Sequence, residues 1–177
     1  LVQFEQIDIG RVLSRLTLVA PRFGWELESV AVPPGQRLHF LRRAAVPSAA
    51  GPQSARSVYI STGIHGDEPA GPLALTTLVC ENQWPANLSL WICPCLNPTG
   101  FPRNSRENSA GIDLNRDYRT PRSAEVRAHV EWLSKQPSFD LTLCLHEDWE
   151  AGGFYCYEVN PDSLPSLAER IVNAAAR

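Results

Sequence analysis

Two histidines and a glutamate are the side chains of this sequence best suited to chemistry. His65 and Glu68 stand three residues apart, and His146 follows much later in the chain. Neutral imidazole and carboxylate are ordinary zinc ligands, and three protein ligands leave the fourth position open, as in catalytic zinc sites. We therefore treat His65, Glu68 and His146 as candidate ligands of one Zn2+ ion.

Both histidines directly follow an apolar run with the composition of a buried strand. His65 comes after SVYISTGI at 57–64, and His146 comes after LTLCL at 141–145. In open α/β sheets, ligands bind at the carboxyl ends of the strands. The two runs are therefore expected to deliver both imidazoles to one rim of a sheet.

These residue types also have structural explanations. A single histidine after a strand is more often a hydrogen-bonded structural residue. Glu68 would be favoured in the first turn of a helix by the helix dipole alone. The placement of His65 beside Glu68, with Gly66 between them to permit a tight turn, favours a metal site.

The remaining segments predict an α/β fold. Helical spacing of apolar residues runs through 5–20, and further helices are expected at 69–81, 123–136 and 164–176. Strands are expected at 57–64, 88–96, 141–145 and 154–159, and Pro94 predicts an edge position or a bulge for the second. The segment 44–56 is predicted to be a loop between hairpin-like elements. The alternation of strands and helices predicts a three-layer α/β/α sandwich with a mixed, mostly parallel twisted sheet.

Length and composition narrow the class of protein. The 177 residues predict a single domain over 1–177, and contents of 44% hydrophobic and 20% charged residues are typical of soluble globular proteins. A net charge of -3 argues against a nucleic-acid partner, and no apolar run is long enough to cross a membrane. The five cysteines are expected to be reduced thiols of a cytoplasmic protein.

Five motifs carry a family resemblance. They are GIHGDEPAG at 63–71, NPTG at 97–100, RNSR at 103–106, GIDLNRDY at 111–118 and LCLH at 143–146. In this order they resemble the motifs of the zinc metallocarboxypeptidase family, except that Thr99 stands where that family usually has aspartate. The resemblance implies a zinc-carboxypeptidase-like fold with His65, Glu68 and His146 as the metal ligands.

The resemblance also implies how four further side chains would act on a substrate. Arg103 would polarise the scissile carbonyl and stabilise the developing oxyanion, and Arg106 would support the same pocket. Asn115 and Arg116 would bind a substrate carboxylate, whose geometry matches the planar fork of a guanidinium. Asn115 also suits a turn, and this alternative stays open.

Three more residues complete the expected surroundings of the site. By the same resemblance, Asp113 would accept a hydrogen bond from the free ring N–H of His65 and so fix its tautomer. Arg119 and Arg122 are expected to be solvated residues of a charged loop.

One residue of the family pattern has no counterpart in the sequence. The family uses a glutamate as general base, well beyond the third ligand, whereas only 31 residues follow His146. We therefore expect the base beyond Arg177 and a domain that is incomplete at its C-terminal end.

The motifs predict a zinc-dependent hydrolase that cleaves an amide or peptide bond next to a residue with a free carboxylate. A murein-peptide amidase is one form of this function. The alternative is an N-acyl amino-acid deacylase resembling succinylglutamate desuccinylase and aspartoacylase, and a metal-binding module without activity is the third possibility. The expected partner is a small peptide or an acyl-amino acid, with no nucleic acid and no membrane; the oligomeric state is left open.

Overall fold

The computed structural model describes residues 7–46 and 55–175 of the chain. The chain divides into two compact units, Leu1–Glu147 and Asp148–Arg177. The first unit carries the sheet and the candidate metal ligands. The second is mostly irregular, with one short helix near its end. Whether the chain acts as one domain stays a prediction.

A five-stranded mixed sheet forms the centre of the first unit. Its strands are β1 (Glu26–Val32), β2 (Gln36–Arg43), β3 (Arg56–Ser61), β4 (Leu88–Cys93) and β5 (Leu141–Cys144). The order is β1-β2-β4-β3-β5. β3 pairs in parallel with both β4 and β5, whereas β1–β2 and β2–β4 are antiparallel. The predicted α/β class with a mixed sheet is confirmed, and the antiparallel part comes from the β1–β2 hairpin.

Helices cover both faces of this sheet. On one face lie α1 (Ile9–Val19) and α2 (Ala70–Glu81), and on the other lies α3 (Ala124–Leu133). Strand side chains alternate between the faces. Val58 and Ile60 therefore pack with the first two helices, while Tyr59 packs with α3. The result is the predicted three-layer arrangement.

Side chains that cap the helices set two of the element boundaries. α1 begins at Ile9, later than predicted, because the Asp8 carboxylate accepts a hydrogen bond from Arg11 N at 3.0 Å. The predicted helix at 123–136 is confirmed in its core: Ser123 caps α3 by accepting from Val126 N at 3.2 Å. Residues 5 and 6 of the first predicted helix, like residues 47–54 of the predicted loop, lie outside the described residues.

The edge position predicted for the 88–96 strand was wrong. β4 lies between β2 and β3, so its backbone is paired on both sides. The strand ends at Cys93, directly before Pro94, which has no N–H to donate to a ladder. The proline thus terminates a central strand.

The second unit also differs from the prediction. Residues 154–159 are not a strand; Tyr157 and Val159 are each 93% exposed, and no described strand pairs with them. The final helix forms only as α4 (Ala168–Ala175), and Ala176 lies outside the described residues. All five cysteines are free thiols. Among the described residues, no helix has the length and apolarity needed to cross a membrane.

Candidate metal centre and substrate cavity

The segment between β3 and α2 delivers His65 to the carboxyl end of the sheet. Beyond the end of β3, Thr62 N donates to the Cys93 carbonyl and Asn97 N donates to the Gly63 carbonyl. The Thr62 hydroxyl adds a hydrogen bond to the Pro94 carbonyl at 2.6 Å. These contacts hold the chain in place up to His65, whose side chain is 2% exposed.

The three predicted metal ligands converge. His65 Nδ1 lies 2.6 Å from Glu68 Oε1, and His146 Nδ1 lies 3.0 Å from Glu68 Oε2. One ligand atom of each residue falls within 4.8 Å of the other two. The two imidazole rings lie 5.0 Å apart between centroids. Two imidazole nitrogens and a carboxylate oxygen at this spacing form a donor set suited to one divalent metal ion.

The surroundings of His65 also fit a metal. His65 Nε2 is buried and makes no hydrogen bond with the described residues, while Asp113 Oδ1 lies 3.5 Å away. If Nδ1 binds a metal, the ring proton must reside on Nε2, where the Asp113 carboxylate is placed to accept it. This is the contact that the resemblance implied for Asp113.

Glu68 is held in its ionised form. Partial burial raises the pKa of its carboxyl, but the hydrogen bonds to His146 and His65 outweigh that effect and lower the pKa to about 2. Glu147, the residue after His146, accepts a hydrogen bond from the backbone N of Ala70, the first residue of α2. This contact fastens the residue after His146 to the helix that begins just after Glu68.

The backbone packed against Gly66 leaves no room for a side chain at this position. The φ of Gly66 is not positive, but a Cβ at this position would lie 2.5 Å from Phe101 N and overlap the Gly100 carbonyl carbon. Gly66 N also donates to the Ser105 carbonyl at 3.0 Å. The close approach brings the loop with His65 and Glu68 against the turn that carries the two arginines.

Arg106, rather than Arg103, lies at the metal ligands. Arg106 Nη1 is 3.3 Å from His65 Nδ1, and its Nε donates to Asp113 Oδ2 at 2.9 Å. The exposed Arg103 instead donates from Nη1 to the Ser109 carbonyl at 3.0 Å. Of the two arginines in this motif, Arg106 is the one that contacts a candidate metal ligand, and the roles expected for both stay predictions.

A buried asparagine sets the position of Arg106. Asn97 Oδ1 accepts from Gly100 N at 2.9 Å and closes the turn at 97–100, while its Nδ2 donates to the Arg106 carbonyl at 3.2 Å. Asn97 has no exposed surface. Its side chain therefore joins the turn to the backbone of the arginine.

Asn115 and His146 both line one cavity. The cavity has a volume of about 770 Å³, and its lining includes Leu133 and Phe139 among its apolar residues. Arg116 is exposed at the end of a short 3-10 helix, Leu114–Arg116, whose first turn is capped by Asp113. Asn115 N donates to Asp113 Oδ1 at 2.9 Å, so Asn115 makes the predicted turn and faces the cavity as well.

Two solvated arginines were expected in this loop. Arg119 is exposed, in agreement with that expectation. Arg122 is also exposed, but its guanidinium Nε lies 3.5 Å from Asp117 Oδ1. Neither side chain lines the cavity.

The sequence analysis missed a buried polar group on α3. Glu125 is 3% exposed and accepts from Asn108 Nδ2 at 3.1 Å and from the Thr99 hydroxyl at 3.3 Å. Thr99, which departs from the family motif, thus links the turn at 97–100 to α3. A charged residue in a helix that follows a capping serine looks like a solvated first-turn carboxylate, so the sequence carries little signal of this network.

Comparisons with known proteins show which sequences this chain resembles. The sequence profile of the succinylglutamate desuccinylase/aspartoacylase catalytic domain matches residues 54–172. Carboxypeptidase SOL1 of Arabidopsis thaliana is 33% identical over 104 residues, which are 47% of this chain and 21% of that protein.

Two solved structures show the same fold. A provisionally named metallopeptidase from Shewanella denitrificans has a TM-score of 0.72 at 25% identity, over 90% of this chain and 60% of its own. A metallo-carboxypeptidase from Pseudomonas aeruginosa, in complex with (2-guanidinoethylmercapto)succinic acid, has a TM-score of 0.60 at 27% identity. That match covers 85% of this chain and 41% of the other. The chain thus spans less than two thirds of the length of these relatives.

The likeness to these solved structures, together with the group His65, Glu68 and His146, identifies a carboxypeptidase-like hydrolase fold, as the resemblance predicted. Because the profile match extends over more than half of its residues, the chain belongs to the succinylglutamate desuccinylase/aspartoacylase catalytic domain family.

Proposed function

We propose that this protein is a zinc-dependent hydrolase that cleaves an amide bond next to a residue with a free carboxylate. The observation that carries the proposal is the convergence of His65, Glu68 and His146, with one ligand atom of each within 4.8 Å of the others. A zinc ion held there would polarise the scissile carbonyl and lower the pKa of a water molecule towards neutrality.

Arg106 is the residue we propose to stabilise negative charge on the carbonyl oxygen. Its guanidinium Nη1 lies 3.3 Å from His65 Nδ1, so it would be within reach of a carbonyl oxygen bound at the metal. Asp113 fixes the Nε side of the guanidinium, which orients the remaining N–H groups before a substrate arrives. A donor that is positioned in advance gains most where charge develops during the reaction.

Asn115 and Arg116 are the proposed carboxylate-binding residues. Asn115 lines the cavity together with His146, so a carboxylate held there would stand next to the metal ligands. Arg116 follows directly on the same 3-10 helix. It is exposed and does not line the cavity, so its planar fork would grip the carboxylate from outside the lining. We call Asn115 and Arg116 the carboxylate clamp. The distance between this clamp and the metal ligands would select the bond adjacent to the terminal carboxylate.

The proton-transfer group of the reaction remains a prediction. The carboxylate of Glu147, the residue after His146, accepts a hydrogen bond from Ala70 N in the first turn of α2. We therefore assign Glu147 a positioning role. The resemblance implies a different glutamate, one that in that family lies well beyond the third metal ligand.

The cavity supports cleavage of peptides over removal of acyl groups from acidic amino acids. Among the described residues that line it, there is neither a lysine nor an arginine; the polar ones are neutral groups such as Tyr118 and Thr142. A substrate side chain with its own carboxylate would lose water there without gaining a cationic partner. An uncharged side chain would instead gain contact with Leu133 and Phe139.

An N-acyl amino-acid deacylase is the second candidate, because the matching family profile is that of succinylglutamate desuccinylase and aspartoacylase. It would use the same ligands and the same carboxylate clamp, so the two candidates differ only in substrate. A murein-peptide amidase would be a special case of the first.

Substrate hydrolysis by the zinc-loaded protein tests these candidates. We would compare short peptides with a free C-terminal carboxylate, including a cell-wall peptide, with N-acyl-aspartate and N-acyl-glutamate, each with and without chelator. Chelator-sensitive cleavage of the peptides supports the proposal, and cleavage of only the acyl-amino acids supports the deacylase. If neither class is cleaved by the full-length protein, the hydrolase proposal fails.

A matched pair of variants separates the site from general damage. Glu68→Gln removes the carboxylate that faces both histidines, whereas Glu131→Gln alters an exposed glutamate on α3 that pairs with Lys135 in a surface contact. The first change is expected to abolish chelator-sensitive cleavage, and the second to leave it unchanged.

A further inference from the structure

A buried histidine bridges two tyrosines at the back of the cavity. His129 of α3 is 3% exposed; its Nε2 lies 2.6 Å from the Tyr59 hydroxyl and its Nδ1 lies 2.6 Å from the Tyr118 hydroxyl. Phe40 stacks near the ring at a centroid distance of 6.1 Å. Burial lowers the pKa of His129 to about 4, so the imidazole is neutral around pH 7.

The neutral ring determines the roles of the two hydroxyls. A neutral imidazole has one N–H donor and one bare acceptor nitrogen. One tyrosine must therefore donate to the ring and the other must accept from it. Both bonds are satisfied only when the two phenols and the imidazole are held together as a unit.

This bridge joins two parts of the proposed site. Tyr59 lies on β3, the strand that leads to His65, and it packs in the core beneath α3. Tyr118 comes two residues after Arg116, at the end of the segment that carries the carboxylate clamp. The cavity is lined by Tyr118, His129 and Asn115 together.

The same segment is anchored at two other points. On the metal side, the Asp113 carboxylate accepts from Asn115 N. On the helix side, Asp117 accepts from Ser123 N at 2.8 Å and from the Ser123 hydroxyl at 2.7 Å. The hydrogen bond between the Tyr118 hydroxyl and His129 adds a third anchor, which connects this segment to the buried core.

We propose that His129 is a positioning residue, which acts through Tyr118 to hold the Asn115–Arg116 clamp at a fixed distance from the metal ligands. The inference rests on the proposed function, because it explains what holds the carboxylate-binding residues of that site in position. It predicts that the Tyr118–His129 hydrogen bond contributes to the recognition of a carboxylate but not to that of an uncharged group.

Binding of two probes that differ in one group tests this. N-acetyl-phenylalanine has a free carboxylate and an apolar side chain suited to the cavity, and N-acetyl-phenylalaninamide has the same shape without the charge. Dissociation constants would be measured by NMR titration on the zinc-loaded protein. The wild type is expected to prefer the acid.

Tyr118→Phe removes only the hydroxyl oxygen. We expect it to weaken binding of the acid about tenfold, the effect of losing one net hydrogen bond, and to leave the amide unchanged. His129→Leu should do the same, while His129→Gln, which retains a donor and an acceptor, should restore part of the affinity. Zinc content should equal that of the wild type in each variant.

The chain offers matched controls for both residue types. Tyr157→Phe changes a tyrosine that is 93% exposed, and His39→Gln changes a histidine on β2 whose Nδ1 lies 2.8 Å from the Ser29 hydroxyl. Neither control should alter the preference for the acid. If His129→Leu does not fold, Tyr118→Phe decides the question, because it preserves the ring.

The outcomes separate the two proposals. If the wild type prefers the acid and Tyr118→Phe binds it equally well, the positioning role is overturned and the proposed function stands. An equal loss for acid and amide also overturns the positioning role, since it would reflect general disturbance of the cavity. If the wild type itself shows no preference for the acid, both proposals fail.

Discussion

Arg106 and Asp113 form an ion pair, with the guanidinium Nε donating to Asp113 Oδ2 at 2.9 Å. The other oxygen of the same carboxylate lies 3.5 Å from Nε2 of His65. Burial opposes ionisation of Asp113, but the guanidinium outweighs it and lowers the pKa of the carboxyl below its usual value. One carboxylate thus lies at both a candidate metal ligand, His65, and the arginine nearest to it.

Replacement of Arg106 should affect catalysis more than replacement of Arg103. Arg106→Ala is expected to lower kcat by roughly 100- to 1,000-fold, the usual effect of removing a donor to a developing oxyanion. Arg103→Ala should have little effect on kcat, because its guanidinium contacts the Ser109 carbonyl instead of the metal ligands. Steady-state kinetics on the cleaved substrate class would measure both; a large kcat loss confined to Arg103→Ala would contradict the assignment.

Asp113→Asn should weaken metal binding. The amide retains an acceptor but not the charge, and we expect about a 10- to 100-fold rise in the zinc dissociation constant, as is typical when the partner of a ligating histidine is altered. Competition with a chromogenic chelator would measure it. Asp67→Asn, an exposed aspartate of the same motif, is the control and should bind zinc like the wild type.

Gly66→Ala should damage both the fold and the site. The added methyl overlaps the backbone at Gly100 and Phe101, which cannot move aside as a flexible side chain would. We expect a loss of roughly 1–3 kcal/mol in the free energy of unfolding, the range for overpacking, together with weaker zinc binding. Urea denaturation would measure the first. Gly152→Ala, at an open position with no heavy atom within 4 Å, should change neither quantity.

The pH dependence of stability should reflect His129. Its folded-state pKa of about 4 lies below the ordinary value of 6.5, so the unfolded chain binds a proton that the folded state excludes. The free energy of unfolding should therefore be highest above pH 6.5 and fall as the pH is lowered towards 4. This residue would contribute about 3 kcal/mol to that fall. Denaturation curves of the wild type and of His129→Gln would test this, with a shallower fall expected in the variant.

Short motifs with strong local constraints predicted much of the site. His65, Glu68 and His146 were recognisable because each strand with a histidine at its carboxyl end delivers that side chain to the same rim. α2 and α3 were placed nearly correctly, since their starts carry Pro69 and the capping Ser123. The contact between Asp113 and His65 followed from the family pattern.

What the sequence did not reveal depends on contacts across long stretches of chain. Two of the four sheet pairings, β1–β2 and β2–β4, are antiparallel, and the strands of the β1–β2 hairpin have no motif. The placement of Arg106 at His65 depends on how Asn97 folds the turn, which spacing alone does not determine. The Tyr59–His129–Tyr118 bridge joins three elements, and a histidine on an otherwise amphipathic helix gives no sign of its partners.

The most direct test of this account is the zinc content of the purified protein and of His146→Ala, measured by inductively coupled plasma mass spectrometry after dialysis against weak chelator. His146 is the candidate ligand that connects β5 to the His65–Glu68 loop, and its Nδ1 is 3.0 Å from Glu68 Oε2. We predict one zinc ion per chain in the wild type and none in the variant. Retention of a full zinc ion by His146→Ala, or its absence from the wild type after zinc loading, would contradict the account.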